Sequence, residues 1–290
     1  MAHIQVIEGL SIPGTPEREN EDALGANGHI AFVLDGVTGI SDTPLLPGKS
    51  DAAWVAHLAR DLLLQHGSEA GGDLRALITR VAQGIVARFE KERLRPPAAR
   101  YELPWTTISV ISVADGRLNV AYVGDSRVLI ETSDDEVHNF GTNPSRTAFE
   151  SKLAAKMIAA RKDKALGIEA IRETVLPDLR RARETVNMPN GFWLLGADPA
   201  VGANASVTSI ELKGPATVLL TTDGFYALTE DYKRYGDREL IATAQTIGLS
   251  VLARELRHIE DDDPVGARYP RMKKSDDATA LLVRVEPSGT

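Results

Sequence analysis

The 290-residue sequence contains no cysteine, which excludes disulfide bonds and zinc sites built on thiolates. It also lacks any run near the roughly 20 apolar residues that a membrane-spanning helix needs. Its first residues, MAHIQVIEGL, do not combine the basic and apolar regions of a secretory signal. An excess of positive charge is missing too: the net charge is −8, which disfavours nucleic acid and anionic membranes as partners. We therefore expect a soluble, cytoplasmic protein.

Two familiar site patterns are incomplete. The tetrapeptide PGKS at 47–50 resembles the end of a phosphate-binding loop, but position 43 is threonine where that loop requires glycine. No apolar strand leads into it, so Ser50 is better interpreted as a helix cap. The six histidines show no metal-ligand spacing. The sequence therefore favours neither a nucleotide-binding loop nor a histidine metal site.

Apolar runs bounded by turn residues predict strands over most of the chain. Asp115-Gly116 lies between two alternating runs and predicts a hairpin, while Gly124-Asp125 predicts a turn into a third strand. The predicted strands lie within 4–10, 28–36, 106–131, 191–196, 205–212, 216–224 and 278–286.

Helical periodicity predicts helices between these strands. One begins at Asp51 after the Ser50 cap and ends near Gly67, and a second runs from about Asp73 to Leu94. Helical sequence also covers 151–186 and 237–258. Because strands and helices do not alternate regularly, the order favours one α+β domain with helices outside packed sheets.

Four aspartates lie at the ends of apolar strands, namely Asp35, Asp125, Asp223 and Asp276. Ionised carboxylates repel one another when they are brought together, unless a cation offsets the repulsion. An all-oxygen ligand set matches hard cations such as Mg²⁺ or Mn²⁺. Asp-Gly is also a common turn pair, so spacing alone leaves both a turn and a metal site open.

Five segments, read in order, resemble the motifs of the PPM family of metal-dependent serine/threonine phosphatases, also called type 2C protein phosphatases. They are ENEDA (19–23), FVLDGVTG (32–39), YVGDSR (122–127), LLTTDG (219–224) and SDDATALLV (275–283). Thr106-Thr107 also resembles the family's Thr-Thr step, with Trp105 where glycine is usual. The resemblance implies one phosphatase domain over 1–290, folded as a four-layer αββα sandwich of two antiparallel sheets. It also implies an inserted helical flap at 132–190.

The resemblance implies a centre of two Mg²⁺ or Mn²⁺ ions with a bridging hydroxide that attacks phosphorus. Asp35 would bridge the two ions, and the Gly36 carbonyl would bind one of them. Asp223 and Asp276 would complete the protein ligands of the first ion. Asp277 matches the second residue of the family motif that Asp276 begins, and it is a weaker ligand candidate than Asp276.

Further residues receive roles by the same resemblance. Glu21 and Asp22 would hold metal-bound waters, and Asp125 would help to bind a third, weaker metal. Glu17 occupies the position of the family's phosphate-binding arginine, and the arginine comes one position later, as Arg18.

The motif DGxGG reads DGVTG, so Thr38 replaces a glycine, and Val37 stands where many eukaryotic members carry a histidine. A metal-bound water is then the expected proton donor.

The expected function is Mg²⁺- or Mn²⁺-dependent dephosphorylation of phosphoserine and phosphothreonine in proteins. The expected partners are a phosphorylated protein and a serine/threonine kinase. Two alternatives stay open: hydrolysis of a small phosphorylated metabolite, and a catalytically weak module that binds a phosphoprotein or kinase through the insert. Since inserts on a fixed scaffold carry specificity, we expect substrate choice to reside in the insert.

Overall fold

The computed structural model describes residues 3–142, 152–153, 155–157, 159, 168–189, 191–271 and 273–287. The strands are β1 His3–Ile12, β2 Asp22–Ala26, β3 Ile30–Gly36, β4 Trp105–Ala114, β5 Arg117–Val123, β6 Arg127–Glu131, β7 Val137–Phe140, β8 Leu195–Gly196, β9 Ser206–Glu211, β10 Ala216–Thr221 and β11 Ala278–Glu286. The helices are α1 Asp51–His66, α2 Leu74–Glu92, α3 Ile168–Arg183, α4 Val201–Asn204, α5 Asp223–Glu230, α6 Asp237–Ile247 and α7 Leu249–Asp262. Within these described ranges, no helix has the length and apolar character to span a bilayer.

The strands form two antiparallel sheets. The first has the order β1-β11-β10-β6-β7. The second has the order β2-β3-β4-β5-β9, with the short strand β8 paired to β4. The chain leaves the second sheet at the end of β5 and enters the first at β6, so residues 124–126 cross between the sheets. The turn predicted at Gly124-Asp125 is this crossing, and the positive φ of 95° at Gly124 allows it.

Alternating side chains of the strands build three apolar layers. In β3, Phe32 and Leu34 pack with α1 and α2, whereas Val33 points between the sheets. In β11, Leu282 packs with α6 and α7, and Val283 joins the layer between the sheets. Both sheets are therefore covered on both faces, which confirms the predicted α+β sandwich of two antiparallel sheets flanked by helices.

The predicted helix starts are confirmed. The Ser50 hydroxyl accepts a hydrogen bond from the Ala53 N–H (3.2 Å), and the Asp73 carboxylate accepts one from the Ala76 N–H (3.0 Å). The single helix predicted at 237–258 is instead two helices. Gly248, with φ of 88°, ends α6 and begins α7 at an angle that a continuous helix does not allow.

Two strands were not predicted. Strand β2 is made of small residues, DALGA, and pairs with β3. Strand β7 lies in the polar stretch that was expected to be a loop, and Val128 of β6 pairs with Phe140. Both strands are stabilised by pairing with a neighbouring strand, and neither has the apolar pattern from which a strand is predicted. Of the predicted flap, α3 is helical as expected, whereas residues 143–151 and 160–167 lie outside the described residues.

The packing predicts where a core truncation is costly. The Phe32 ring is fully buried between β3 and the helices, and Gly25 of the neighbouring strand has no room for a side chain against it. Phe32→Ala should lower the free energy of unfolding by roughly 3–5 kcal/mol. The matched control Val207→Ala, at a side chain that is 39% exposed, should change it by less than about 0.5 kcal/mol. Urea denaturation measures both, and equal losses would contradict this description of the core.

Candidate metal centre

Three aspartates from distant segments converge at one end of the sandwich. Asp35 lies near the end of β3, Asp125 lies in the crossing between the sheets, and Asp223 is the first residue of α5, directly after β10. One carboxylate oxygen from each lies within 4.8 Å of the other two. The fold thus gathers side chains that are 90 or more positions apart in sequence. Such a group of oxygen ligands suits a hard divalent cation.

Electrostatics at Asp35 shows how closely the acidic residues approach. Burial raises the pKa of the Asp35 carboxyl well above its usual range, and the negative charges of Asp223, Asp22, Asp276 and Asp125 raise it further. Each neighbour therefore opposes ionisation of Asp35. Because a bound divalent cation would offset this repulsion, the donor set fits a Mg²⁺ or Mn²⁺ centre.

Asp22 lies opposite Asp35 in the β2–β3 pairing and is only 4% exposed. The Thr222 hydroxyl donates a hydrogen bond of 2.8 Å to its carboxylate. Burial raises the pKa of Asp22 well above its usual range, against the Thr222 hydrogen bond and together with the charges of Asp276 and Asp277. Asp22 therefore belongs electrostatically to the same acidic site.

Asp276 is held differently from its predicted partners. It lies outside the group of three carboxylates within 4.8 Å, although its charge acts on both Asp35 and Asp22. Its Oδ1 accepts hydrogen bonds from the Lys273 ammonium (2.5 Å) and from the Asp277 N–H (2.8 Å). The assignment of Asp276 as a metal ligand stays a prediction, and it requires an oxygen to be available beside this ammonium.

Asp277 has a structural position. Its two carboxylate oxygens accept hydrogen bonds from the Gly14 N–H (2.7 Å) and the Glu21 N–H (2.6 Å). Both oxygens are thus used to fix the connection between β1 and β2. Asp277 therefore stays a weaker ligand candidate than Asp276.

Glu21 is oriented by two hydroxyl groups. Thr38 donates to its Oε2 and Ser50 donates to its Oε1, each at 2.5 Å. Ser50 therefore caps α1 and also holds Glu21. Thr38, the residue that replaces a glycine in DGVTG, supplies the second contact. The sequence indicated neither contact with Glu21, because each joins residues brought together only by the fold.

The glycines after Asp35 and Asp223 permit close approach of the backbone. A Cβ at Gly36 would lie 2.5 Å from the Glu21 carbonyl oxygen, to which the Gly36 N–H donates a hydrogen bond (3.0 Å). A Cβ at Gly224 would overlap the Asp277 carbonyl oxygen. Larger residues at these two positions would push apart the segments that carry the carboxylates.

Two arginines, Arg18 just before the first motif and Arg127 within YVGDSR, have different surroundings. Arg18 is exposed, and its guanidinium makes no hydrogen bond or ion pair with any described residue. Arg127, next to the crossing, is 5% exposed, pairs with Glu230 at 2.8 Å and lies over the Tyr226 ring. Arg127 thus ties the crossing to α5, the helix that begins with Asp223.

Two cations near the site were not predicted. Lys273 pairs with Asp276, and its ammonium lies 3.4 Å from the Thr38 hydroxyl. Burial alone disfavours this ammonium, but the charges of Asp276, Asp35 and Glu21 outweigh burial and raise the pKa of Lys273 above its ordinary range. Arg183, at the end of α3, donates a hydrogen bond of 2.7 Å to the Thr38 carbonyl. The only sequence signal for Lys273 is its place three residues before Asp276.

Comparisons with known proteins agree with this geometry. A family model described as Protein phosphatase 2C matches residues 17–257. Among solved structures, the chain resembles the serine/threonine phosphatase PstP/Ppp of Mycobacterium tuberculosis, with 17% identity, a TM-score of 0.56, and coverage of 98% of this chain and 99% of that one. A catalytic domain of PstP in complex with two manganese ions matches with 18% identity, a TM-score of 0.56 and coverage of 99% and 100%.

A third similar structure is the serine/threonine phosphatase Stp1 of Staphylococcus aureus, with 15% identity, a TM-score of 0.54, and coverage of 100% of this chain and 96% of that one. At such identities the likeness establishes the fold and nothing finer. No curated protein matches the sequence significantly.

The repulsion at Asp35 predicts a stability effect of opposite sign to most core substitutions. Because the folded-state pKa of Asp35 is raised, folding favours its protonated form, and this residue destabilises the metal-free protein as pH rises above the ordinary aspartate range. Asp35→Asn should therefore raise the melting temperature of the metal-free protein at pH 7, by roughly 2–4 °C for each 1 kcal/mol of repulsion removed. The gain should shrink on acidification towards pH 4.

Mn²⁺ provides the control for this effect. It should raise the melting temperature of the wild type in a concentration-dependent manner, by an amount equivalent to about 2.7 kcal/mol at 100 times its dissociation constant. It should have little effect on Asp35→Asn. Calorimetric scans with chelator and with Mn²⁺ measure both, and a metal-free variant less stable than the wild type at pH 7 would contradict the repulsion.

Proposed function

Because the chain belongs to the protein phosphatase 2C family of metal-dependent serine/threonine protein phosphatases, we propose that it hydrolyses phosphoserine and phosphothreonine in proteins through a binuclear Mg²⁺ or Mn²⁺ centre. The family model confirms the resemblance that the ordered motifs indicated. The observation that carries the proposal is the convergence of Asp35, Asp125 and Asp223 on one site. A single acidic turn would not gather oxygens from three separate elements.

The resemblance of the motifs suggests which residues would hold the ions. Asp35 would be shared by both ions, with Asp223, Asp276 and the Gly36 carbonyl completing the direct ligands. Glu21 and Asp22 would hold metal-bound waters, and Asp125 would contribute to a third site. When bound, such ions supply the positive charge that activates water and stabilises the oxygens of the phosphoryl group.

The chain's own polar contacts would keep this site in one geometry. Hydroxyls of Thr38 and Ser50 orient Glu21, and the Thr222 hydroxyl orients Asp22. Asp277 fixes the backbone that carries Glu21. Carboxylates positioned before substrate arrives do not need to reorganise during the reaction, and this is the main source of electrostatic catalysis.

The end of α3 lies beside the proposed site. Arg183 donates to the Thr38 carbonyl, Arg180 donates to the Ile40 carbonyl at 3.4 Å, and Arg180 also lies over the Tyr101 ring. The predicted insert therefore contacts the loop that follows Asp35-Gly36. We propose that this insert, at 132–190, contacts the phosphoprotein and governs substrate choice. A kinase partner, a signalling role and a cytoplasmic location stay predictions.

Turnover of p-nitrophenyl phosphate tests the metal assignment. Asp35→Asn and Asp223→Asn should each lower kcat/KM by roughly 10²–10³-fold or more, since each removes charge that positions the ions. The control Asp61→Asn, at an exposed carboxylate whose ion-pair partner is its neighbour Arg60, should retain wild-type turnover. Chelation should abolish activity and Mn²⁺ should restore it; full turnover in either site variant would refute the assignment.

A panel of substrates separates the proposal from its alternatives. Comparing kcat/KM for phosphoserine and phosphothreonine peptides with that for small phosphorylated metabolites should favour the peptides. Higher values for a metabolite would identify a small-molecule phosphatase instead. Negligible turnover of every substrate by the Mn²⁺-loaded protein, together with tight peptide binding, would identify a binding module.

A further inference from the structure

Lys273 places a positive charge inside the acidic end of the sandwich. Its Nζ lies 2.5 Å from Asp276 Oδ1 and 3.4 Å from Thr38 Oγ1. The charges of Asp35 and Glu21 also act on it. The ammonium therefore lies among the residues to which the proposed function assigns the ions, and not on a remote surface.

The ammonium is accessible as well as paired. The Lys273 side chain is 38% exposed, so a solute that enters the site can reach it. An ammonium has three N–H donors. Asp276 and Thr38 accept from it, which leaves one donor without an acceptor among the described residues.

The net charge of the site indicates an anionic partner for the third N–H donor of Lys273. While the weaker third site is empty, two divalent cations carry four positive charges, whereas six carboxylates lie here: Glu21, Asp22, Asp35, Asp125, Asp223 and Asp276. A phosphomonoester is a dianion near neutral pH, so it would approach a site that still has surplus negative charge. A fixed ammonium reduces the repulsion between this dianion and the carboxylates, and it also donates a charge-assisted hydrogen bond.

We propose that Lys273 binds the phosphoryl group of the substrate, an inference that rests on the proposed phosphatase function. With ions on the carboxylates, Asp276 would share its charge with metal and would hold the lysine less tightly. The ammonium then donates to a non-bridging phosphoryl oxygen while Thr38 keeps it at the edge of the site. No covalent bond to Lys273 forms or breaks.

Neighbouring cations are placed less well for this role. The Arg18 side chain is exposed, and its guanidinium makes no hydrogen bond or ion pair with any described residue. Lys274 points away and pairs with Asp261 at 2.6 Å. Arg183 contacts the Thr38 carbonyl, so it supports the loop that carries Thr38. Lys273 differs from these three cations because its ammonium contacts both the Asp276 carboxylate and the Thr38 hydroxyl.

Binding of inorganic phosphate, the reaction product, tests the proposal without requiring turnover. Titration calorimetry on the Mn²⁺-loaded protein should show that Lys273→Met weakens phosphate affinity roughly ten- to hundredfold, the loss expected for one charge-assisted hydrogen bond. Lys273→Arg, which keeps the charge and donors, should restore most of this affinity. Lys274→Met is the matched control and should bind phosphate within about twofold of the wild type.

Mn²⁺ affinity, measured on the same proteins, distinguishes ligand binding from mere support of the fold. Lys273→Met removes a cation from the site, so its Mn²⁺ affinity should equal or exceed that of the wild type. Lys273→Gln, which is polar but uncharged, provides a second variant if the methionine variant does not fold. Phosphate affinity unchanged in the folded, Mn²⁺-loaded variant would overturn the proposal, and so would loss of Mn²⁺ binding.

The outcomes also separate this inference from the proposed function. If the wild type binds Mn²⁺ and hydrolyses p-nitrophenyl phosphate while Lys273→Met binds phosphate normally, the lysine assignment alone fails. If the wild type neither binds Mn²⁺ nor turns over substrate, the proposed function fails and the lysine assignment fails with it.

Discussion

Repulsion among carboxylates at one end of the sandwich is the constraint on which the other features of the site depend. Asp22, Asp125, Asp223 and Asp276 all oppose ionisation of Asp35. A fold gains nothing from such a cluster in itself, because each charge loses hydration and faces like charges. The surrounding structure must therefore hold the cluster in place. Without a cation the cluster opposes folding, whereas a bound divalent cation would offset the repulsion.

Burial of the three apolar layers stabilises the fold and offsets the repulsion among the carboxylates. Side chains of β3 and β11 alternate between the sheet interface and the helices, so the strands that carry Asp35 and follow Asp276 are buried on both faces. Polar contacts then fix the segments that carry the carboxylates to these buried strands. Arg127 joins the crossing to α5 through Glu230, and Ser126 of the crossing shares a hydroxyl–hydroxyl hydrogen bond of 2.6 Å with Thr107 of β4. The rigid parts of the fold thus place the acidic oxygens, as electrostatic catalysis requires.

The sequence predicted the elements whose signals are local. Ser50 and Asp73 mark helix starts, and Asp115-Gly116 forms the hairpin with positive φ at both residues. The predicted final strand, 278–286, matches β11. The motifs also singled out Asp35, Asp125 and Asp223, whose carboxylates the fold brings together.

Features that depend on contacts between distant segments could not be predicted. Strands β2 and β7 are short or polar and exist because β3 and β6 pair with them. No local pattern shows that the chain changes sheets at Gly124. The sequence places Lys273 only three residues before Asp276, whereas the charges of Glu21 and Asp35 reach it through the fold. Site chemistry was thus predictable where a motif carries it, and not where the fold assembles it.

The most direct test of the central claim is a crystal structure of the Mn²⁺-soaked protein with anomalous scattering recorded at the manganese edge. We predict two anomalous peaks about 3.5–4 Å apart, bridged by the Asp35 carboxylate, with Asp223 on one of them. A fully soaked crystal with no peak beside Asp35 and Asp223, or with peaks only at remote surface carboxylates, would contradict the account.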